Sequence, residues 1–154
     1  MAPPWLEKVA SSRAGGVWFL KIANKIDKRL VPATDGRFST APGRQILVIE
    51  VIGAKSRQPR RIPLQYVTDG ENIVLIASKA GSTKHPAWYH NLRRNPEATV
   101  WAKGRSGRYR ASIVEGSEYD RLWRRASEYY AGYDVYKERA GSRRIPLVLL
   151  TPAS

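Results

Sequence analysis

The chain has 154 residues, about one ordinary domain, and 42% hydrophobic with 26% charged residues marks a folding sequence rather than a disordered one. It contains no Cys, which excludes disulfides, thiolate nucleophiles, zinc fingers and iron–sulfur clusters, so redox chemistry has to come from a bound cofactor. Lys and Arg (27) outnumber Asp and Glu (13), a net charge of +14 that draws in an anion: nucleic acid, acidic lipid or a polyanionic cofactor.

The N-terminus lacks a secretion-signal pattern and no stretch is apolar enough to span a bilayer, so the chain is expected to be cytoplasmic, with the inner face of the membrane as a peripheral station. From Trp5 to Leu30 apolar residues recur at helical spacing. Trp18, Ile22, Ile26 and Leu30 form one stripe, and Lys21, Lys25, Lys28 and Arg29 point elsewhere. This is an amphipathic helix suited either to an anionic membrane surface or to capping a core. Gly15 and Gly16 are expected to interrupt it and Pro32 to end it. A loop rich in Pro, Thr, Asp, Gly and Ser leads to residue 44.

Residues 45–52 (QILVIEVI) are β-branched and almost continuously apolar, a buried strand. Strands are expected at 61–68 and 72–77, joined by the tight turn Asp69-Gly70, and a second hairpin at 98–103 and 108–114. A short helix at 86–94 begins with Pro, and Ser117 followed by Asp120 signals the cap of a helix reaching Tyr129. A strand at 145–150 closes the chain. Short strands with few helices between them argue against a doubly wound parallel sheet and for a small barrel. Residues 1–44 then form an N-terminal helix and lead-in loop, and 45–154 the barrel, as one folding unit.

Several constellations fail on their own terms. His85 and His90 are five apart, so they face different sides of a helix, and no carboxylate lies between them; no metal site is expected. Gly53-Ala54-Lys55-Ser56 imitates the end of a phosphate-binding loop, but Val48 stands where its first Gly belongs. Neither GxGxxG nor GxSxG occurs. Glu50 in its apolar strand is best explained as an Arg-paired or edge-facing carboxylate rather than a base.

One constellation holds together. Residues 53–64 place Lys55, Arg57, Arg60 and Arg61 on a hairpin connection that runs into Ile62-Pro63-Leu64. One strand later come Ala77-Ser78-Lys79-Ala80-Gly81 and then a helix with Trp88, Tyr89 and Asn91. Neighbouring hairpin ends of an antiparallel barrel converge, so Lys55, Arg60 and Lys79 make an anion pocket beside small residues whose backbone a flat ring can approach.

These segments, IGAKSRQPRRIPL, ASKAG and HPAWYHNLRRNP, followed by Tyr130, Tyr133, Tyr136 and RRIPLVLLTP, resemble in order and separation the motifs of the deazaflavin (coenzyme F420)-dependent nitroreductases and quinone reductases of actinobacteria, from about Gln45 to Pro152. The resemblance implies a mainly β, α+β split barrel like the FMN-binding split-barrel fold. It also implies an oxidoreductase that passes a hydride from reduced F420 to a quinone-like or nitroaromatic acceptor. On the matching positions, Lys55, Arg60 and Lys79 would hold the phosphate and acidic tail, Ala54, Ser56 and Arg61 would also lie among the cofactor-binding residues, and Ile62, Pro63 and Leu64 would line the ring. Ala77, Ser78, Ala80 and Gly81 would add backbone and hydroxyl contacts. Trp88 and Asn91 would close the pocket, and Ser78, Tyr130, Tyr133 and Tyr136 would shape the catalytic acceptor side. Arg57 stands where the family pattern has Gly and Ala54 at a frequent Arg position, so a turn of different shape is expected, with Arg57 and Arg61 as replacement cations.

Other classes remain open at this point. A flavin- or haem-binding split barrel is the nearest alternative. A nucleic-acid module would use the same charge, but the cations are spread without a recognition motif, so nucleic acid is not expected.

Overall fold

The computed structural model describes residues 13–153. A helix α1 (Arg13–Ala33) precedes strands β1 (Ile46–Ile52), β2 (Pro59–Asp69) and β3 (Asn72–Ile76). A 3-10 turn (Lys79–Gly81), helix α2 (Ala87–Arg94) and the hairpin β4 (Glu97–Trp101) and β5 (Gly107–Ile113) follow. Helices α3 (Gly116–Tyr129) and α4 (Gly132–Arg139) come next, and β6 (Leu147–Pro152) ends the chain. All strand pairs are antiparallel, and the sheet closes into a barrel in the order β1-β2-β3-β6-β5-β4.

β1 and β3 read as apolar runs because both of their faces are covered. Along β3, Ile73 and Leu75 turn into the barrel with Leu47, Ile49, Val51, Val100, Val148 and Leu150. Their neighbours Val74 and Ile76 turn outward into a second cluster with Leu122, Trp123, Ala126, Tyr133, Ile145 and Leu147. α1 packs against β1 and β2, where Val31 on the helix and Val48 on the strand are fully buried.

Local details differ from the sequence expectation for identifiable reasons. α1 runs unbroken through Gly15 and Gly16, and the expected start from Trp5 to Ser12 lies outside the described residues. Pro32 sits inside the last turn rather than beyond it, since so near the end it costs only one helical bond. Thr34 then bonds Leu30 O through both N and Oγ1, and Gly36, at φ +79, closes the helix with its N–H to Val31 O. Buried Asp27 fastens the lead-in loop by accepting from Thr40 N (2.7 Å) and Oγ1 (2.8 Å).

Ser117 caps nothing: α3 starts at Gly116 with Glu115 at the cap position and no side-chain capping bond. β6 starts at Leu147 because Pro146 has no N–H, although its carbonyl accepts from Ala77 N. The segment from Gly132, for which the sequence reading gives no element, is helix α4. Asp134 in its first turn accepts from Trp123 Nε1 (2.9 Å) and Ser127 Oγ (3.0 Å), and Lys137 and Arg139 lie in its last turn, where cations suit the dipole.

Candidate functional site

β2 is longer than its neighbour. β1 pairs with it from Pro59 to Gln65, but β3 joins only from Tyr66 to Asp69. From Pro59 to Gln65, then, the far edge of β2 carries backbone groups with no strand beside them. β3 runs antiparallel to β2, so its exit, Ala77–Ser82, lies at the same barrel end as the β1–β2 turn. The approach to β6 joins it there, since Ala77 N donates to Pro146 O at 3.0 Å.

Three cations gather at this end by topology. Lys55, Arg60 and Lys79 are all exposed and none is in an ion pair with a described residue. Arg61 differs: its Nε donates to Glu50 at 2.8 Å and its guanidinium lies over the Trp101 ring at 4.6 Å. Glu50 is thus the Arg-paired carboxylate anticipated from the sequence, and Arg61 is already engaged instead of being a spare cation.

The turn before β2 is closed by Gly53 N to Gln58 O and Arg57 N to Gly53 O, both 2.9 Å, while exposed Ser56 accepts from Gln58 N through Oγ. Arg57 takes φ +57, so the left-handed corner persists although the residue has a β-carbon. Ala54 N donates to Asn91 Oδ1 at 2.9 Å, so Asn91 locks α2 to the turn that carries Lys55. Trp88 is buried in the barrel cluster with Tyr89 and Leu92. Ile62 and Leu64 are half-buried against the same cluster, and half-buried Pro63 alternates with them.

Ala77 and Ser78 are buried, and Lys79 opens the 3-10 turn at φ +45. Ala80 follows, and then Gly81, at φ +78, where a β-carbon would stand 2.6 Å from Arg139 Cβ and 2.9 Å from Tyr136 O. Only Gly permits this contact between the turn and α4.

The tyrosines assemble on α4 and the residues before it. Tyr130 and Tyr133 meet edge-on at 5.1 Å, and the hydroxyls of Tyr130 and Tyr136 are 3.2 Å apart. Tyr133 is buried, and burial pushes its phenol up to about 12, so it stays neutral. Its oxygen accepts from Gln65 Nε2 at 2.9 Å, which leaves its own O–H to donate. Burial also raises the Tyr136 phenol, helped by its bond to Tyr130.

Gln65 therefore links the tyrosine cluster to the point where the pairing of β2 passes from β1 to β3. Sequence reasoning missed it, though a lone amide between Leu64 and Tyr66 was the available signal. It also missed Arg44, which approaches Gln65 Oε1 at 3.4 Å and lies 5.2 Å from the Tyr130 ring centre. A concavity of about 700 Å³ along β5 and β6, lined by Arg108, Tyr109, Arg110 and Thr151 among others, contains none of the expected residues. No group of metal ligands occurs among the described residues.

A small antiparallel barrel with a one-sided strand edge and free cations at one end has the build of a cofactor-binding split barrel. Comparison with known proteins narrows the class. The chain belongs to the F420H(2)-dependent quinone reductase family, whose model matches residues 22–152. It is an oxidoreductase whose cofactor is coenzyme F420. An F420H(2)-dependent quinone reductase of Mycobacterium tuberculosis is 36% identical over 152 residues, covering 96% of this chain and 95% of the relative.

Among solved structures, an F420-H2 dependent reductase (FDR-A) is similar with a TM-score of 0.62 and 32% identity, over 70% of this chain and 95% of that one. A domain-swapped dimer matches with a TM-score of 0.67 and 29% identity, over 88% and 98%. The haem storage protein HutZ of Vibrio cholerae, at 16% identity and a TM-score of 0.56, shares the fold alone, over 73% of this chain and 84% of that one. The site fits an anionic tricyclic group: free cations lie at the end where a strand edge and small residues leave backbone open to a flat ring.

Proposed function

We propose that the one-sided stretch of β2 from Arg60 to Leu64 receives the deazaflavin ring, with Lys55, Arg60 and Lys79 on its phosphate and tail, and that the acceptor is a quinone. The observation that carries this reading is the unpaired β2 edge, which shares one barrel end with three free cations. When bound, the reduced deazaflavin supplies the hydride from the central carbon of its ring. The chain supplies charge, orientation and a dry wall, and needs no nucleophile. Ile62 and Leu64 give the wall its apolar side, and Ala77, Ser78 and Gly81 let the ring approach closely. Tyr133, neutral and fixed by Gln65, holds a donor O–H on the acceptor side; Tyr130 and Tyr136 add flat area with polar tips, which suits a quinone or a nitroaromatic ring alike.

A fluorescence titration with F420 beside flavin mononucleotide, followed by oxidation of reduced F420 by a short-chain quinone, tests the reading. Preferential F420 binding and quinone turnover are expected. Equal binding of both cofactors, or F420 binding with no quinone turnover, rejects it.

Contact with an anionic membrane belongs to the same proposal. Ile22 and Ile26 on α1 are 38% and 47% exposed, beside exposed Lys21, Lys25, Lys28 and Arg29. Over residues 20–33 of the helix, Asp27 and Val31 are the buried residues, and Leu30 is half-buried. Apolar side chains flanked by lysine are what a lipid surface holding quinone recognises. Ile22→Asp with Ile26→Asp should abolish sedimentation with anionic liposomes while leaving the fold intact; unchanged sedimentation removes the membrane from the proposal. No helix among the described residues is long and apolar enough to cross a membrane.

A further inference from the structure

We infer that Arg143 is a positioning residue, which holds the segment Ala77–Ser82 in the one conformation that presents Lys79 to an anion. The inference rests on the cofactor reading above. Arg143 stands on the short connection between α4 and β6, at the head of the RRIPLVLLTP segment, and has been assigned no role so far. All three of its guanidinium nitrogens are engaged with one loop. Nε donates to Ser82 O at 2.8 Å, Nη1 to Ala77 O at 3.1 Å, and Nη2 to Ser78 O at 2.6 Å. Nη1 also meets Nδ1 of His85 at 2.8 Å. A guanidinium has no acceptor, so His85 must accept there and carry its proton on Nε2.

The three carbonyls bracket the 3-10 turn. The turn's own bonds are few: Gly81 N to Ser78 O and Ser82 N to Lys79 O, both 3.0 Å. At its start Lys79 has φ +45, a conformation that side chains with a β-carbon rarely adopt and that persists only where the surroundings enforce it. Gly81 pressed against Tyr136 and Arg139 restrains the end of the turn. At its beginning Arg143 binds the carbonyls of both residues preceding Lys79, one residue beyond the Ala77 N–H that donates to Pro146 O.

A planar fork with donors at fixed angles can hold several carbonyls at once, and a lysine ammonium cannot match that geometry. Because Arg143 leads directly into Ile145 and Pro146, whose carbonyl accepts from Ala77 N, the loop is held against the start of β6 from both sides. Through Gly81 it is held against the tyrosine helix as well. Lys79 is thus set for its anion before any ligand arrives, which removes the ordering cost from binding.

The test compares the full-length wild type with Arg143→Ala, Arg143→Lys, Lys79→Ala and the double variant Arg143→Ala with Lys79→Ala. F420 affinity is read by fluorescence titration and amide exchange is followed in the ligand-free protein. Arg143→Ala is expected to raise the F420 Kd about tenfold, Arg143→Lys to restore little of it, and the double variant to bind no worse than the poorer single one. In the ligand-free Arg143→Ala protein the Gly81 and Ser82 amides are expected to exchange about tenfold faster, with Leu75 and Val148 unchanged.

Multiplicative losses in the double variant, or exchange accelerated equally throughout the barrel, overturn the inference, because each is what a merely structural arginine gives. Should the Ala variant fail to fold, Arg143→Gln serves in its place. A wild type without F420 affinity rejects the cofactor reading itself, a failure distinct from that of Arg143.

Discussion

The two halves of β2 are built from one continuous strand and do opposite things. From Tyr66 to Asp69 the strand pairs with β3, and Tyr66 and Val67 are buried. From Arg60 to Gln65 it has β1 alone, and its side chains are exposed or half-buried. Stability therefore concentrates where the side chains of the strand are buried, and recognition where they are exposed, since an unpaired edge beside small residues is open to a ligand. Gln65 marks the boundary.

The sharpest way to break this comparison is a core truncation. Leu75, fully buried opposite Tyr66, should lose about 2–5 kcal/mol of stability as Leu75→Ala, read by urea unfolding, with F420 affinity per folded molecule retained. A large affinity loss without a stability loss would erase the division between the halves. At the open end the reverse is expected. Lys55→Ala or Arg60→Ala should each weaken F420 binding by about 1–3 kcal/mol, less at high salt, with thermal midpoints unmoved. Unchanged affinity in both variants would remove the hairpin from the site.

The boundary itself gives a smaller effect. Tyr133→Phe deletes the acceptor of the Gln65 amide and should cost about 0.5–1.5 kcal/mol, lowering acceptor turnover while the F420 dissociation constant stays nearly constant. Tyr133→Ala is a blunter probe, because the ring is buried in the outer cluster and its loss leaves a cavity. Equal loss of F420 affinity in the Phe variant would place Tyr133 outside the acceptor side. Arg57→Gly should gain about 0.5–1 kcal/mol by relaxing the left-handed corner, measured as a raised midpoint without loss of F420 affinity. A drop in affinity would make Arg57 a tail contact.

The smallest expected effect is on pH. Burial first, then Arg143, His90 and Arg93, hold His85 below its ordinary value of 6.5. Tyr89 packs on the same ring at 4.9 Å. With the folded pKa depressed, the folded protein binds fewer protons than the unfolded chain as pH falls below that ordinary value. The contribution of His85 is therefore complete above it and is lost as pH drops through the lowered one. Thermal midpoints followed from about pH 8 to about pH 5 should fall, and His85→Asn should flatten that fall. An unaltered profile in the variant would show that another group governs it.

Much of the barrel was legible because its signals are local. The β-branched run of β1, the Asp69-Gly70 turn and the alternation along β4 and β5 define strands whatever else the chain does. The ordered motifs around Lys55, Lys79 and Trp88 likewise stand in the sequence itself, and with them the family and its cofactor. Helix α4 was not legible, because its stability comes from Asp134 meeting Trp123 and Ser127 across a turn, and its apolar period is weak.

The roles of single residues divide in the same way. Arg57 and Arg61 look interchangeable as charges in the sequence, yet one occupies a strained corner and the other is engaged by Glu50 and Trp101. Arg143 and Gln65 carry no local mark of what they do. Which side chain meets a distant carbonyl or phenol depends on strand register and on where β3 stops pairing with β2. Those are properties of the closed barrel, fixed only when residues far apart in the chain compete for the same backbone edge and the same buried space.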